Sequence, residues 1–340
     1  GGKPGVGRGD GAEGDRLRGR LRGVTNCATG GGGPTVARPC RSGARALSVT
    51  PQSILLAPLP PVGRSIVFRL VPGAEPRAAL AAFAAAYPPE WGAVGLGVPL
   101  AAALGAEIPG LRAFPALAGP GGAVPSTQGA LWLALRGDTP GEVFDRVARV
   151  VDLLAPAFVV DDAVDTFLYR DGRDLTGYLD GTANPPEDEA PAVAIVGDGG
   201  EAPAGSSFVS VQRWVHDLPR FRSHPVDERD AMIGRAIADN EEIETAPETS
   251  HVKRTAQELY EPTAFMWRRS MPWADGRGEG LEFVAYCATL DAFERMLAHM
   301  LGCDDGIVDA LFRFSRPVTG GHYWCAPLRD GRLDLAALGV

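Results

Sequence analysis

The sequence predicts an α+β fold of two similar halves, each of ferredoxin-like type, with antiparallel sheets and helices outside. Three observations lead there. Short apolar runs with strand character are each followed by a helical pattern. This grammar occurs twice, before and after a proline-rich, acidic stretch at 185–204. No glycine-rich fingerprint sits between a strand and a helix, as a nucleotide-binding parallel sheet would require.

The elements follow in order. "RSIVFRL", from Arg64, alternates as a strand does, and "EPRAALAAFAAAY" continues it as an Ala-rich helix opened by Glu75 and Pro76. "GALWLALRG" reads as a strand, and "DTPGEVFDRVARVVDLL" as a helix with Asp138 or Thr139 as N-cap and Pro140 in the first turn. Beyond the acidic stretch come "SSFVSVQRWV" as a strand, "DLPRFRS" as a short helix and "VDERDAMIGRAIAD" as a helix over 226–239. The last pair is the strand "LEFVAYCAT" and the helix "LDAFERMLAHMLG", in which Leu290, Phe293, Met296, Leu297 and Met300 share one face.

Residues 1–50 stand apart. They are glycine-rich, lack aromatic residues, and carry nine Lys or Arg against three Asp or Glu. Such a segment buries too little apolar surface to offset its ordering entropy, so a disordered Gly/Arg-rich tail is expected. Beginning at Gly rather than Met, it is read as a fragment edge or as sequence upstream of the natural start, a tail that need not be native. The expected layout is then this tail at 1–50, an N-terminal half at 51–190 and a C-terminal half at 191–340.

The tail's +6 leaves −15 on the remaining 290 residues, which argues against nucleic acid or an anionic membrane as partner of the folded part. No apolar run approaches the roughly 18 residues of a membrane span. "SILLAPLPP" is too short and too proline-broken for a signal segment, so the chain is read as soluble and cytoplasmic. Five cysteines (Cys27, Cys40, Cys287, Cys303, Cys325) without CxxC spacing indicate free thiols rather than disulfides or zinc. The N-terminal glycine clusters lack the flanking strand, Lys-Ser/Thr and helix of a phosphate loop.

Three segments carry candidate chemistry. "GYLDGTANP", 177–185, is a turn by composition that also displays Asp180. The five histidines form no paired-His zinc signature, but His251 ends a polar loop, "ETAPETSHVKR", where one ring nitrogen can bind iron while a carboxylate fixes the other. In "FMWRRSMPWADG" the alternation of large apolar residues implies a strand on which Arg268 and Arg269 face opposite sides.

Together these segments resemble the dye-decolorizing peroxidase family, most closely its bacterial intracellular, class B-like branch. "GYLDG" matches the family's GxxDG motif, "SHVKR" is similar to its proximal-histidine segment and "WRRSMP" to its distal-arginine strand. "VQRWVHDL", "IGR" and "LFRFSRPVTGGHYWCAP" extend the likeness in order from about residue 52 to 332.

The resemblance implies the double ferredoxin-like fold of the dimeric α+β barrel superfamily, with heme b as cofactor. The 51–190 half would carry the distal Asp loop, and the 191–340 half the heme ligand and distal Arg. It makes His251 the axial iron ligand, Asp180 the distal acid and base, and Arg268 the distal cation. Arg235 would hold a heme propionate, and Asp309 would accept the other N–H of His251. Ser270 stands where the branch often has Asn, which changes the donors available to distal water. The implied activity is reduction of hydrogen peroxide, through a ferryl intermediate, at the expense of dyes, phenols or another small aromatic reductant. A homo-oligomer and an acidic pH optimum are implied with it. Trp214, Trp267, Trp273, Tyr286 and Trp324 are read first as packing residues and second as electron relays. Release of iron from heme and heme binding without catalysis stand as alternative readings.

Overall fold

The computed structural model describes residues 1–2 and 48–340, so the expectations for residues 3–47, Cys27 and Cys40 among them, lie outside the described residues. Residues 48–340 lie within one compact unit. Its main sheet has ten strands: β1 (Val62–Leu70), β2 (Gly92–Leu96), β3 (Leu131–Gly137), β4 (Phe158–Phe167), β5 (Ser207–His216), β6 (Trp267–Arg268), β7 (Met271–Asp275), β8 (Gly278–Cys287), β9 (Ser315–Pro317) and β10 (Gly321–Cys325). The helices that matter below are α1 (Pro76–Ala86), α2 (Pro140–Leu154), α3 (Leu218–Ser223), α4 (Val226–Ile233), α5 (His251–Arg254) and α6 (Asp291–Met300).

The strands run in the order β7-β8-β5-β10-β2-β3-β1-β4, with β9 paired to β5 and β6 to β8, and every pairing is antiparallel. The fold is thus α+β. Strands from the N-terminal part lie together, strands from the C-terminal part lie together, and the two sets join where Trp324 of β10 pairs with Leu96 of β2. The sheet curls until its edge strands β4 and β7 lie side by side, Thr166 Oγ1 being 3.7 Å from Met271 Sδ. The outcome is a barrel-like sheet with an outer face and a lumen.

Alternation along each strand sorts side chains between the two faces. On β3, Leu131, Leu133 and Leu135 join the core under α1 and α2, while Trp132 and Ala134 pack in the lumen. On β8, Ala285 and Cys287 belong to the core beneath α6, while Val284 and Tyr286 point into the lumen. Phe293, Met296, Leu297 and Met300 of α6 are all buried, each side chain contributing about 1.5–3 kcal/mol by leaving water.

Local signals explain the element ends. Pro76 and Pro140 open α1 and α2, and Thr139 rather than Asp138 caps α2, its Oγ1 accepting from Glu142 N at 3.3 Å. One expectation is corrected. The helix read over 226–239 stops at Ile233, because Gly234 adopts φ +96° and closes it with a left-handed cap. Arg235 therefore lies in a loop rather than on a helix. Among the described residues, Cys287 and Cys325 are buried free thiols and Cys303 is exposed. No helix among them is long and apolar enough to cross a membrane.

Candidate active site

Between the outer face of β5 and β8 and the apolar side of α6 lies a cavity with about 930 Å³ of atom-free space, mouth included. Gln212, Trp214 and His216 reach it from alternate positions of β5, and Leu281 and Phe283 from β8. Phe293, Met296, Leu297 and Met300 close the other side. The titratable groups come from separate segments, His251, Asp180, Arg268 and Asp174 joining His216 of β5. A largely apolar chamber with a small set of convergent polar groups has the character of a cofactor or ligand site.

His251 opens the single turn α5, so its ring projects from the start of a helix rather than from a flexible loop. Its Nδ1 lies 2.8 Å from Asp309 Oδ2. Asp309 is fully buried, and its other oxygen accepts from Leu311 N at 2.8 Å, so the carboxylate cannot swing away. An imidazole held this way has a fixed tautomer, and its Nε2 is left for the cavity.

Asp180 sits in the turn 177–181, where Gly177 and Gly181 supply positive φ values of 96° and 73°. The backbone bends back on itself through Asp180 N to Gly172 O (3.1 Å), and Gly181 N donates to Asp180 Oδ1 at 2.7 Å. The carboxylate is open to the cavity and crowded by protein atoms elsewhere. That crowding raises its pKa, Arg268 opposes the rise and Asp174 adds to it. Arg268 is itself lowered by burial and by Arg235, with Asp180 acting the other way.

Asn184 is a residue that the sequence reading passed over. Its Oδ1 accepts from Arg268 N at 2.9 Å, and its Nδ2 donates to Arg268 O at 3.0 Å. The side-chain amide thus pairs with the backbone of β6 as another strand would, and ties the Asp180 loop to Arg268. The signal was present in "GTANP", whose Asn before Pro reads as ordinary turn chemistry. Asn184→Ala is expected to cost about 1–3 kcal/mol in a denaturant titration by orphaning both backbone groups. An unchanged midpoint would show that the two segments are held by other contacts.

A second polar pair also lines the cavity. His216 Nε2 lies 3.1 Å from Asp174 Oδ1, and its Nδ1 lies 2.6 Å from Ser315 Oγ. Asp174 is pushed up by burial, yet His216 and Thr176 more than offset this and hold it below the usual carboxylate range. Arg235 does not line this cavity. Its Nη2 is 2.9 Å from Glu242 Oε2, its Nη1 donates to Asn240 O at 3.0 Å, and its Nε is buried without a partner. Ser270 is buried too, its Oγ accepting from Val284 N at 3.3 Å. It borders a second, outer cavity that shares Asp180 and Arg268 with the first. The aromatic residues Trp214, Trp267, Trp273, Tyr286 and Trp324 are all buried.

Residues 171–330 match the family described as Dyp-type peroxidase, C-terminal. A dye-decolorizing peroxidase of Mycobacterium tuberculosis is 35% identical over 220 residues, 63% of this chain and 66% of that protein. The chain thus spans about two thirds of the length of that curated relative. A dye-decolorizing protein from V. cholerae superposes with a TM-score of 0.72 at 29% identity, over 86% of this chain and 99% of that one. A DypB variant from Rhodococcus jostii, solved in complex with heme, gives 0.74 at 27% identity over 81% of this chain and 96% of that one. The matched stretch contains Asp180, His251, Arg268 and Asp309, the residues that converge on the cavity and its wall. Sequence likeness, shared fold and site geometry agree: the chain belongs to the dye-decolorizing peroxidase family.

Proposed function

We propose that the chain is a heme peroxidase that reduces hydrogen peroxide and oxidises a small aromatic reductant such as a dye or phenol. One observation carries the reading. His251 is bonded to the buried Asp309 and leaves its second nitrogen for an apolar cavity that Asp180 and Arg268 also line. The donor set fits heme, with an imidazole for iron and apolar walls for the tetrapyrrole, while Arg235, which does not line the cavity, is outside that set. The heme held by a family member of known structure supports the same assignment.

Bound there, heme supplies the electron-transfer chemistry by which the O–O bond is cleaved. The protein's part is to move a proton and stabilise charge. Asp180 takes the proton of the peroxide oxygen that binds and returns it to the oxygen that leaves. Arg268, which keeps its charge at any working pH, stabilises the negative charge that develops on the leaving oxygen. Asp309 holds His251 in the tautomer that ligates. Ser270 accepts from the Val284 backbone and does not line the cavity that holds His251.

Adding hemin to the purified protein is expected to produce a Soret band, and His251→Ala to remove the spectrum of histidine ligation. Absence of the band, or an unaltered spectrum in the variant, would sink the assignment.

The pH profile tests Asp180 separately. As a base Asp180 works deprotonated, and its pKa is raised in the folded chain, so activity should fall with decreasing pH at a value above the ordinary 3.9 of Asp. Asp174→Asn removes a charge that raises the Asp180 pKa, so this acid limb should move to lower pH. A limb that stays in place, or persists in Asp180→Asn, would assign the titration to another group.

A further inference from the structure

We infer that the lumen of the barrel holds a second ligand site, for a small oxyanion of the carboxylate class, formed by Arg136, Arg269 and Tyr286. The inference does not rest on the reading of the heme cavity. The two sites lie on opposite faces of the same sheet.

β6 and the residue after it make the separation. Arg268 faces the outer cavity wall, and Arg269, one position on, reaches a distinct lumenal chamber with about 550 Å³ of atom-free space, mouth included. Arg136 projects into this chamber from β3 and Tyr286 from β8. The segment Ala57–Pro60 lies along it as well, and Ala57 O accepts from Arg269 Nη2. The indole of Trp267 packs against the same guanidinium, 4.7 Å from its carbon to the ring centroid.

The charges in this chamber do not balance. Arg64, at its rim, is paired with Asp165, and Glu282 is occupied by Arg213 Nε at 3.2 Å. Arg136 makes no side-chain hydrogen bond or ion pair among the described residues, and Arg269 has no carboxylate partner among them. Arg269 Nε is buried without any partner. The Tyr286 hydroxyl faces the chamber and is likewise unpartnered among the described residues. Burial lowers the pKa of Arg269, and the neighbouring Arg136 lowers it further, while Tyr286 and the more distant Glu187 act the other way. Two guanidiniums that line one chamber, each short of acceptors, repel one another, and an anion between them would relieve that repulsion.

The donor geometry selects the ligand. A planar oxyanion accepts two parallel N–H bonds from one guanidinium and has a lone pair left for the second and for the phenol. The chamber has room for several water molecules, enough for acetate or bicarbonate.

The test is calorimetric titration of the heme-loaded protein with acetate and with bicarbonate, at constant ionic strength against chloride, with the Soret band followed in parallel. Saturable binding of either anion, without a Soret change, is expected. Which of the two binds names the source as an organic acid or dissolved carbonate. Arg136→Gln and Arg269→Gln should each weaken binding by about tenfold or more, the scale of one charged hydrogen bond. Arg136→Lys keeps the charge without the fork and should weaken it too, so it carries the test if the Gln variants fold poorly. No binding above the chloride control, or affinity unchanged in the Arg136 variants, would overturn the site.

Discussion

Arg268→Leu is expected to slow the reaction of the heme-loaded protein with hydrogen peroxide by about 10²–10³-fold, the effect of removing one preorganised donor at developing negative charge. The structure gives two reasons for placing the largest catalytic effect here. The guanidinium is held from behind by its own backbone, which Asn184 clamps at both N–H and C=O, so it enters the cavity already oriented. It also lowers the pKa of Asp180, so its loss removes charge stabilisation and favours the protonated, idle form of the base. Stopped-flow absorbance at several pH values separates these effects. The charge effect persists at all pH values, while the Asp180 effect appears as an acid limb moved upward. Rates equal to those of the unmodified protein across the profile would remove Arg268 from the mechanism.

The largest expected effect on stability lies elsewhere, at Arg213. This residue of β5 points into the lumen, with Nη1 2.8 Å from Asp162 Oδ2 of β4 and Nε 3.2 Å from Glu282 Oε2 of β8. It therefore links a strand of the N-terminal half with strands of the C-terminal half across the inside of the barrel. Burial raises the pKa of Glu282, opposed by Arg213 and Ser65, and Ser65 Oγ in turn accepts from Trp132 Nε1 at 2.9 Å. Arg213→Leu leaves Glu282 buried without its cation and should cost about 3–5 kcal/mol in reversible denaturation. Adding Glu282→Leu should recover much of that loss, because an apolar pair of similar volume removes the stranded charge. A double variant no more stable than Arg213→Leu would mean that packing around Arg213, not charge, sets the cost.

The sequence made these elements legible to different degrees, for physical reasons. The helix carrying Met296 was readable because one face is buried and the other is not, and the strand Leu131–Gly137 because its short apolar run is bounded by Gly129 and Gly137. β2 and β4 were not. "GAVGL" is buried at every position and has no alternation to detect, and "VVDDAVDTF" carries three aspartates on a strand paired on only one side. The helix past Gly234 was over-read because a left-handed glycine and an ordinary one look alike in sequence. At the site, His251, Asp180, Arg268 and Asp309 could be named from motifs that resemble the family. Asp174, His216 and Asn184 were missed because what gives them meaning is proximity across 42 residues in one case and 84 in the other.

The adjacency of Arg268 and Arg269 also bears on which length changes the chain can tolerate. A deletion or insertion of one residue between Pro262 and Trp267 would turn the strand over, presenting Arg269 to the heme side and Arg268 to the lumen. Composition, net charge and fold would be nearly unchanged, while each site would exchange its own arginine for the other, displaced by one residue along the strand. Lineages and engineered libraries alike should therefore keep this segment's length fixed even where its residue types drift.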